Sequence, residues 1–170
     1  MKLLIASDIH GSAFWCRKLL EAYRDSGAEK LVLLGDLLYH GPRNDLPEEY
    51  APKEVIALLN AYSREIIAVR GNCEAEVDQM VLDFPCLHES AVIFADGVTM
   101  RLTHGHHYNI DAPLPMAAGE VMLYGHTHVP LDETRDGVRF LNPGSVSIPK
   151  GGSAHGYLFF EDGEFSYRTL

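Results

Sequence analysis

The first half of the chain alternates short apolar runs with segments whose apolar residues recur every third or fourth position. The apolar runs, which predict buried strands, are 2–7, 30–34 and 66–69. Between them lie two segments with helical spacing, one bounded by Ser12 as a cap and Gly27 as a stop, the other at 52–63 with Pro52 in its first turn. This order of strand, helix, strand, helix, strand is typical of parallel β-α-β units.

The pattern changes beyond about residue 90, where short strand-like runs occur in pairs. Asp-Gly stands between such runs at 96/97, 136/137 and 162/163, and this dipeptide favours tight hairpin turns. The second half is therefore predicted to be mostly antiparallel. Because no Ser- or Gly-rich stretch separates the halves, residues 1–170 are predicted to form one domain, with two packed sheets and helices outside.

Charge and composition narrow the classes of function. A formal net charge of -10 argues against a broad basic surface for long nucleic acid, although a bound metal could still attract a small anionic substrate. The three cysteines, Cys16, Cys73 and Cys86, are odd in number and form no C-x-x-C pair, so neither a disulfide framework nor a thiolate zinc site is predicted. Neither a signal peptide nor a membrane-spanning run is evident, and a cytoplasmic protein without a membrane partner is expected.

Polar side chains follow five of the predicted strands, and the carboxyl ends of strands are where sites form in α/β sheets. The candidate metal ligands are Asp8, His10, Asp36, Asn72, His104, His126 and His128. Alone, Asp8, Asp36 or Asn72 would more often be a turn former or helix cap, and His104 or His126 could be a core histidine. Together they exceed the needs of one tetrahedral site and predict two ions that share a bridging carboxylate.

The chemistry of these ligands indicates which metals would bind. Histidine, carboxylate and amide oxygen without thiolate favour borderline or hard divalent ions. Mn²⁺ is our first choice for the two ions, with Ni²⁺, Zn²⁺ or Fe²⁺ as alternatives.

The ordered motifs "SDIHG", "GD", "GNCE", "THGH" and "YGHTH" resemble those of the calcineurin-like metallophosphoesterases. They span residues 7 to 128, and a further family-like "NPGSVSIP" follows at 142 to 149. The stretches "HGPRNDLP" and "RGNCEAEVDQM" are similar to those of the small bacterial phosphodiesterases of the YfcE type. The resemblance implies a metallo-dependent phosphatase-like fold, a four-layer α/β/β/α sandwich of two mixed sheets flanked by helices.

The resemblance also implies roles for the ligands. One ion would take Asp8, His10 and His128, the other would take Asn72, His104 and His126, and Asp36 would bridge them. A metal-bridging hydroxide would then attack phosphorus in line with the departing alcohol.

The candidate catalytic residues are Asp36, Asn72, Cys73 and His104, and the role of Cys73 stays open. Cys73 occupies the position where many relatives carry histidine, so it could border the leaving group or simply be a small buried hydrophobe. An extended or turning backbone predicts that it points away from Asn72.

The loop 38–52 is long, lacks periodicity and follows Asp36, as loops that line a site often do. His40, Arg43 and Asn44 are candidate substrate contacts there, with Arg43 best suited to pair with phosphate. Gly41-Pro42 could instead only turn the chain, and Arg43 could instead pair with Asp45 or Glu48. His106 is a further substrate-binding candidate that could also support a ligand, and His107 is read as loop surface.

The motifs and composition are consistent with three functions. The leading hypothesis is a dinuclear-metal-dependent phosphoesterase acting on small phosphodiesters. The alternatives are a non-catalytic protein-interaction scaffold of the same fold, as in its retromer-subunit relatives, and a nuclease-like enzyme on short oligonucleotides. Intact ligands disfavour the scaffold and acidic composition disfavours the nuclease. The sequence leaves open the substrate, the native metal and whether copies form a homo-oligomer.

Overall fold

Two five-stranded β-sheets form the frame of the protein in a computed structural model, which describes residues 1–170. The first sheet contains, in spatial order, β10 (Glu164–Thr169), β9 (Gly156–Glu161), β1 (Leu3–Ala6), β2 (Lys30–Leu33) and β3 (Ile66–Ala68). The second contains β4 (Ala91–Ala95), β5 (Val98–Leu102), β6 (Val121–Leu123), β8 (Val138–Pro143) and β7 (Pro130–Arg135). The helices are α1 (Ala13–Ser26), α2 (Pro52–Asn60) and the short α3 (Glu76–Gln79).

The β-α-β prediction for the first half is confirmed. Strands β1 and β2 pair in parallel, as do β2 and β3, with α1 and α2 in the connections. Helix α1 begins where Ser12 Oγ accepts a 3.2 Å hydrogen bond from the Trp15 amide, and it ends at Gly27, whose φ of 69° is left-handed. The predicted cap and stop therefore act as expected.

The three Asp-Gly pairs form the turns of three hairpins, β4-β5, β7-β8 and β9-β10. Asp96 and Gly97 have φ of 49° and 79°, as a turn with two left-handed residues requires. The mostly antiparallel prediction holds for these hairpins but not for the centre of the second sheet, where β5, β6 and β8 run parallel. The third hairpin also joins the first sheet, because β9 pairs with β1.

Alternating side chains of the first sheet bury both of its faces. Leu3 and Ile5 pack toward the second sheet, whereas Leu4 and Ala6 pack beneath α1 and α2. This explains why β1 is apolar throughout rather than alternating with polar residues. The outer face of the second sheet is covered by residues 105–120, which contain turns and bends but no helix. No helix of the protein is long and apolar enough to cross a bilayer.

Candidate metal centre

All seven predicted ligands converge where strands of the two sheets end. Asp8 and His10 follow β1, Asp36 follows β2, and Asn72 follows β3 by a few residues. From the second sheet, His104 follows β5, while His126 and His128 follow β6. The site therefore draws side chains from both halves of the chain.

Asp8, His10 and His128 form one tight triangle. Asp8 Oδ1 lies 3.3 Å from His10 Nε2 and 3.1 Å from His128 Nε2, and the two Nε2 atoms are 3.2 Å apart. An ion about 2.1 Å from each of three ligand atoms leaves those atoms about 3.0 to 3.4 Å apart. Asp8 Oδ1 is buried without a hydrogen-bond donor. These three side chains therefore fit a divalent cation.

A second group surrounds His104. Its Nε2 lies 3.1 Å from Asn72 Oδ1, 3.3 Å from His126 Nδ1 and 3.4 Å from Asp36 Oδ2. The same Asp36 oxygen is 3.7 Å from His10 Nε2 in the first triangle. Asp36 is thus the carboxylate placed between the two groups.

Backbone carbonyls orient three of the histidines. The Nδ1 atoms of His10, His104 and His128 lie 2.7, 2.7 and 2.8 Å from the carbonyl oxygens of Tyr39, Leu34 and Ile148, respectively. Because a carbonyl only accepts, each Nδ1 carries a proton, and Nε2 is the ring nitrogen that faces the cluster. Metal-binding histidines are commonly held in this way.

The backbone at the site is unusual. Five of the seven candidate ligands have left-handed φ: Asp8 (61°), His10 (49°), Asp36 (55°), His126 (67°) and His128 (60°). Non-glycine residues rarely adopt this region, and where they do so at several neighbouring positions the surrounding structure must hold them there. Such clustering is typical of functional sites.

Two glycines permit the close approach of the strand ends. A Cβ on Gly71 would overlap the Asp36 carboxylate, and one on Gly125 would overlap Ser7 Oγ and lie 2.7 Å from Asp8 Oδ2. The absence of a side chain at these positions therefore makes room for the ligands themselves.

Side chains of the "NPGSVSIP" stretch hydrogen-bond to the backbone of the loops that carry the ligands. Ser145 Oγ and Ser147 Oγ donate to the carbonyl oxygen of Asp8 at 2.8 and 3.1 Å. Asn142 Nδ2 donates to the carbonyl oxygen of Gly125 at 2.8 Å. Sequence reasoning noted the motif but assigned its residues no role; each holds the backbone of a ligand-bearing loop.

Burial and the neighbouring charged groups together shift the pKa values of the ligands. Burial alone would raise the pKa of Asp8, but the nearby rings of His10 and His128 lower it well below its usual value. Burial opposes charge on His104 too, yet the Asp36 hydrogen bond and the two acidic charges raise its pKa to about 9. Burial, with nearby His104, lowers the pKa of His126. The pKa values of Asp8 and Asp36 are both lowered, so both carboxylates stay ionised in the buried centre, where a cation would complement them.

Glu74 is a buried carboxylate that sequence reasoning missed. It accepts hydrogen bonds from the amides of Asp36 (2.9 Å) and Leu37 (2.7 Å), and one from Gly71. Burial and the Asp36 charge raise its pKa to about 7. The sequence signal that could have identified Glu74 is its position as the last residue of "GNCE". Its hydrogen bonds hold the loops that carry Asp36 and Asn72 in place.

Cys73 does not point away from Asn72, so that prediction is wrong. Asn72 Nδ2 donates to Cys73 Sγ at 3.3 Å, because residues 72 and 73 form a bend rather than an extended strand. The Cys73 amide donates to Asp36 Oδ1 at 2.9 Å. Burial, followed by the Asp36 charge, raises the pKa of the thiol, which keeps it neutral.

A pocket opens over the cluster, and it contains two of the four predicted substrate contacts. Arg43 and Asn44 line it together with Cys73 and, from the opposite loop, Lys150. His40 lies outside this lining because its ring packs between Tyr39 and Tyr50, at centroid distances of 4.8 and 5.1 Å.

His106 also lies outside the pocket lining, with its ring 5.4 Å from that of His104. Burial, together with the charges of His104 and His107, lowers the pKa of His106 to about 4. His107 is exposed, as expected, with its Nδ1 3.5 Å from Glu89.

Comparison with known families agrees with this geometry. The model of the calcineurin-like phosphoesterase superfamily domain matches residues 1–162. The chain belongs to this family, and it is by family an enzyme that hydrolyses phosphoric esters. The predicted α/β fold of two mixed sheets with helices is confirmed, and the layer over the outer face of the second sheet is irregular chain instead of the predicted helix.

Individual relatives cover nearly the whole chain. It is 48% identical over 170 residues to phosphodiesterase YfcE of Escherichia coli K12, covering 100% of this chain and 92% of that protein. Phosphodiesterase MJ0936 of Methanocaldococcus jannaschii is 27% identical over 151 residues, covering 85% and 83%. The solved structure of the phosphoesterase Yfce from E. coli superposes with a TM-score of 0.93 at 43% identity, covering 99% of each chain.

Proposed function

We propose that the chain is a dinuclear-metal-dependent phosphodiesterase that hydrolyses small phosphodiesters. One observation carries this proposal: two groups of ligand atoms, each with spacings suited to one divalent ion, meet at the shared Asp36 carboxylate. The names of two relatives as phosphodiesterases support the choice of substrate.

We assign Asp8, His10 and His128 to one ion and Asn72, His104 and His126 to the other, with Asp36 between them. Two bound divalent ions would supply a deprotonated water at neutral pH and would neutralise charge on the phosphate. Asp36 suits the shared position because its Oδ1 is held by the Cys73 amide while Oδ2 faces both groups.

Donors at the pocket wall orient the substrate. Arg43 and Asn44 line the pocket beside the ligands, and the guanidinium can give two parallel hydrogen bonds to an anionic group of the substrate. The Asn44 side chain also donates to the carbonyl oxygen of His40 at 2.8 Å, which holds the turn that carries Arg43.

Cys73 favours diesters over monoesters in this proposal. Its thiol is neutral and lies at the pocket, so it is neither an activated nucleophile nor an effective proton donor. A poorly leaving alcohol needs a proton from the enzyme, whereas an activated aryl diester needs less help. The substrates cleaved fastest should therefore be diesters with good leaving groups.

Mn²⁺ is the metal we propose first, with Ni²⁺, Zn²⁺ and Fe²⁺ as competitors, because the ligands combine imidazole with oxygen donors. We also propose that residues 1–170 act as one domain in the cytoplasm. Apolar side chains from both sheets form a common cluster, and all three cysteines are free.

The proposal is tested by metal reconstitution. The protein is stripped with a chelator, dialysed, and resupplied separately with Mn²⁺, Ni²⁺, Zn²⁺ or Mg²⁺. Release of nitrophenol is then measured from bis(p-nitrophenyl) phosphate and from p-nitrophenyl phosphate. We expect metal-dependent turnover with a preference for the diester. A protein that binds two ions and hydrolyses neither compound would contradict the proposal.

A further inference from the structure

Two cationic side chains line the pocket over the metal centre. One comes from a loop of the first sheet and the other from a loop of the second. Arg43 belongs to the loop after β2 in the first sheet, and Lys150 to the loop after β8 in the second. Both line the pocket that also contains Asp36, Asn72, His126 and His128. Sequence reasoning did not select Lys150, because it lies beyond the ligand motifs in an ordinary glycine-containing stretch.

Neither cation has a carboxylate partner. Asp45 and Glu48, the neighbours that could have neutralised Arg43, form no ion pair with it, and Lys150 has none either. Acidic residues outnumber Lys and Arg by 24 to 14 in this chain. Unpaired positive charge at a pocket of so acidic a protein is available to an anionic ligand.

The backbone of Lys150 is fixed relative to a metal ligand. Its amide donates to the carbonyl oxygen of His128 at 3.0 Å, and its carbonyl oxygen accepts from Ser153 Oγ at 2.7 Å. Gly151 and Gly152, both left-handed, complete the turn. The side chain is exposed, but it starts from an anchored position beside the site.

We infer that Lys150 and Arg43 together bind a second phosphate on the substrate, in addition to the phosphodiester that is cleaved. The preferred substrate class would then be a small phosphodiester that carries a further phosphomonoester. This inference rests on the proposed function. The two metal ions would already balance the charge of the scissile group, which leaves the cations at the pocket wall for another anion.

A matched pair of chromogenic compounds tests the inference. Thymidine 5′-(p-nitrophenyl phosphate) carries only the scissile diester, and its 3′-phosphorylated form adds one phosphate. With Mn²⁺-loaded protein we expect KM to be about five- to tenfold lower for the 3′-phosphorylated compound, as for a charge-assisted contact that is partly screened by solvent. The difference should shrink as NaCl is raised from 0.05 to 0.5 M.

Three variants test whether the preference for the 3′-phosphorylated compound depends on Lys150. Lys150→Gln should lower the KM ratio of the simple to the 3′-phosphorylated compound by about twofold or more, because only Arg43 then remains, and Lys150→Arg should retain the preference. Lys53→Gln, at an exposed lysine in α2 away from the pocket, should leave both KM values unchanged.

The outcomes separate the two proposals. Equal KM values in the unsubstituted protein, with the simple diester still hydrolysed, would overturn the second-phosphate site and leave the phosphodiesterase standing. A preference that is undiminished in Lys150→Gln would overturn the role of Lys150. If neither compound is hydrolysed under any metal, the phosphodiesterase proposal and this inference fail together.

Discussion

Asp36 gives its two carboxylate oxygens separate partners. Oδ1 accepts a hydrogen bond from the Cys73 amide, while Oδ2 faces His10 and His104. Its φ of 55° places it in the left-handed region, which asparagine tolerates about as well as aspartate does. A change to asparagine therefore removes the charge with little change of backbone.

We predict that Asp36→Asn lowers turnover to near background and weakens both metal sites, because the shared negative charge is lost. Turnover and bound metal, the latter by elemental analysis, are measured together. Asp162→Asn is a matched control, since Asp162 is also left-handed but lies in the β9-β10 turn. Near-normal activity in Asp36→Asn would refute the shared position.

At Cys73 we predict opposite effects from two substitutions. Cys73→Ala should leave diester hydrolysis largely intact, because the neutral thiol is not the nucleophile. Cys73→His should raise monoester hydrolysis by about tenfold or more, since a positioned proton donor typically gives about 10² to 10⁴-fold. Both rates are measured with both metals bound. Loss of diesterase activity in a fully loaded Cys73→Ala protein would show that the thiol is catalytic.

At the scale of elements, the site depends on how closely two strand ends approach. β1 leads into Ser7 and Asp8, and β6 leads into Gly125, where no room exists for a side chain. The His126 amide also donates to Asp8 Oδ2 at 3.0 Å, so the two loops are joined directly.

We predict that Gly125→Ala lowers the free energy of unfolding by about 1 to 3 kcal/mol, as overpacking generally does. It should also reduce metal content, because the displaced carboxylate belongs to Asp8. Urea denaturation and elemental analysis measure the two effects. The control is Gly97→Asn, at a hairpin turn with open space, where asparagine accepts the left-handed φ. An unchanged metal content in Gly125→Ala would contradict the steric account.

Most of the helices, strands and hairpins could be predicted from the sequence. Apolar runs and helical spacing located β1, β2, β3, α1 and α2, and the Asp-Gly pairs located three hairpins, since these signals are local. Local signals could not show that β9 pairs with β1 or that β5, β6 and β8 are parallel, because those pairings join distant parts of the chain. The positions of Cys73 and Glu74 also depend on contacts distant in sequence, namely their hydrogen bonds with Asp36 and Leu37.

At the scale of the molecule, the seven candidate ligands lie between residues 8 and 128 and belong to loops of both sheets. Their convergence could be predicted because the carboxyl ends of neighbouring strands lie at the same edge of a sheet. Their residue types, carboxylate, amide and imidazole, indicated that the site binds divalent metal. Lys150 could not be found in this way, since only the folded loop after β8 brings it to the pocket.

We predict that bound metal declines as pH falls from 8 to 5. Protons compete with metal for the histidine nitrogens, whose ordinary pKa is about 6.5. The raised pKa of His104, about 9 in the metal-free site, strengthens this competition, whereas the lowered pKa of His126 weakens it there. Metal content after dialysis at each pH is measured by elemental analysis. Constant content across this range would argue against the histidine ligands.

The left-handed backbone at five of the seven ligands also restricts how this site could change during evolution. Valine, isoleucine and other bulky residues are poorly tolerated at Asp8, His10, Asp36, His126 and His128, whatever the metal requires. Substitutions that preserve the fold would be drawn mainly from asparagine, aspartate, histidine and glycine, most of which are themselves metal ligands. A descendant that lost its activity would therefore keep much of the site's polar composition, and its motifs alone would overstate its catalytic ability.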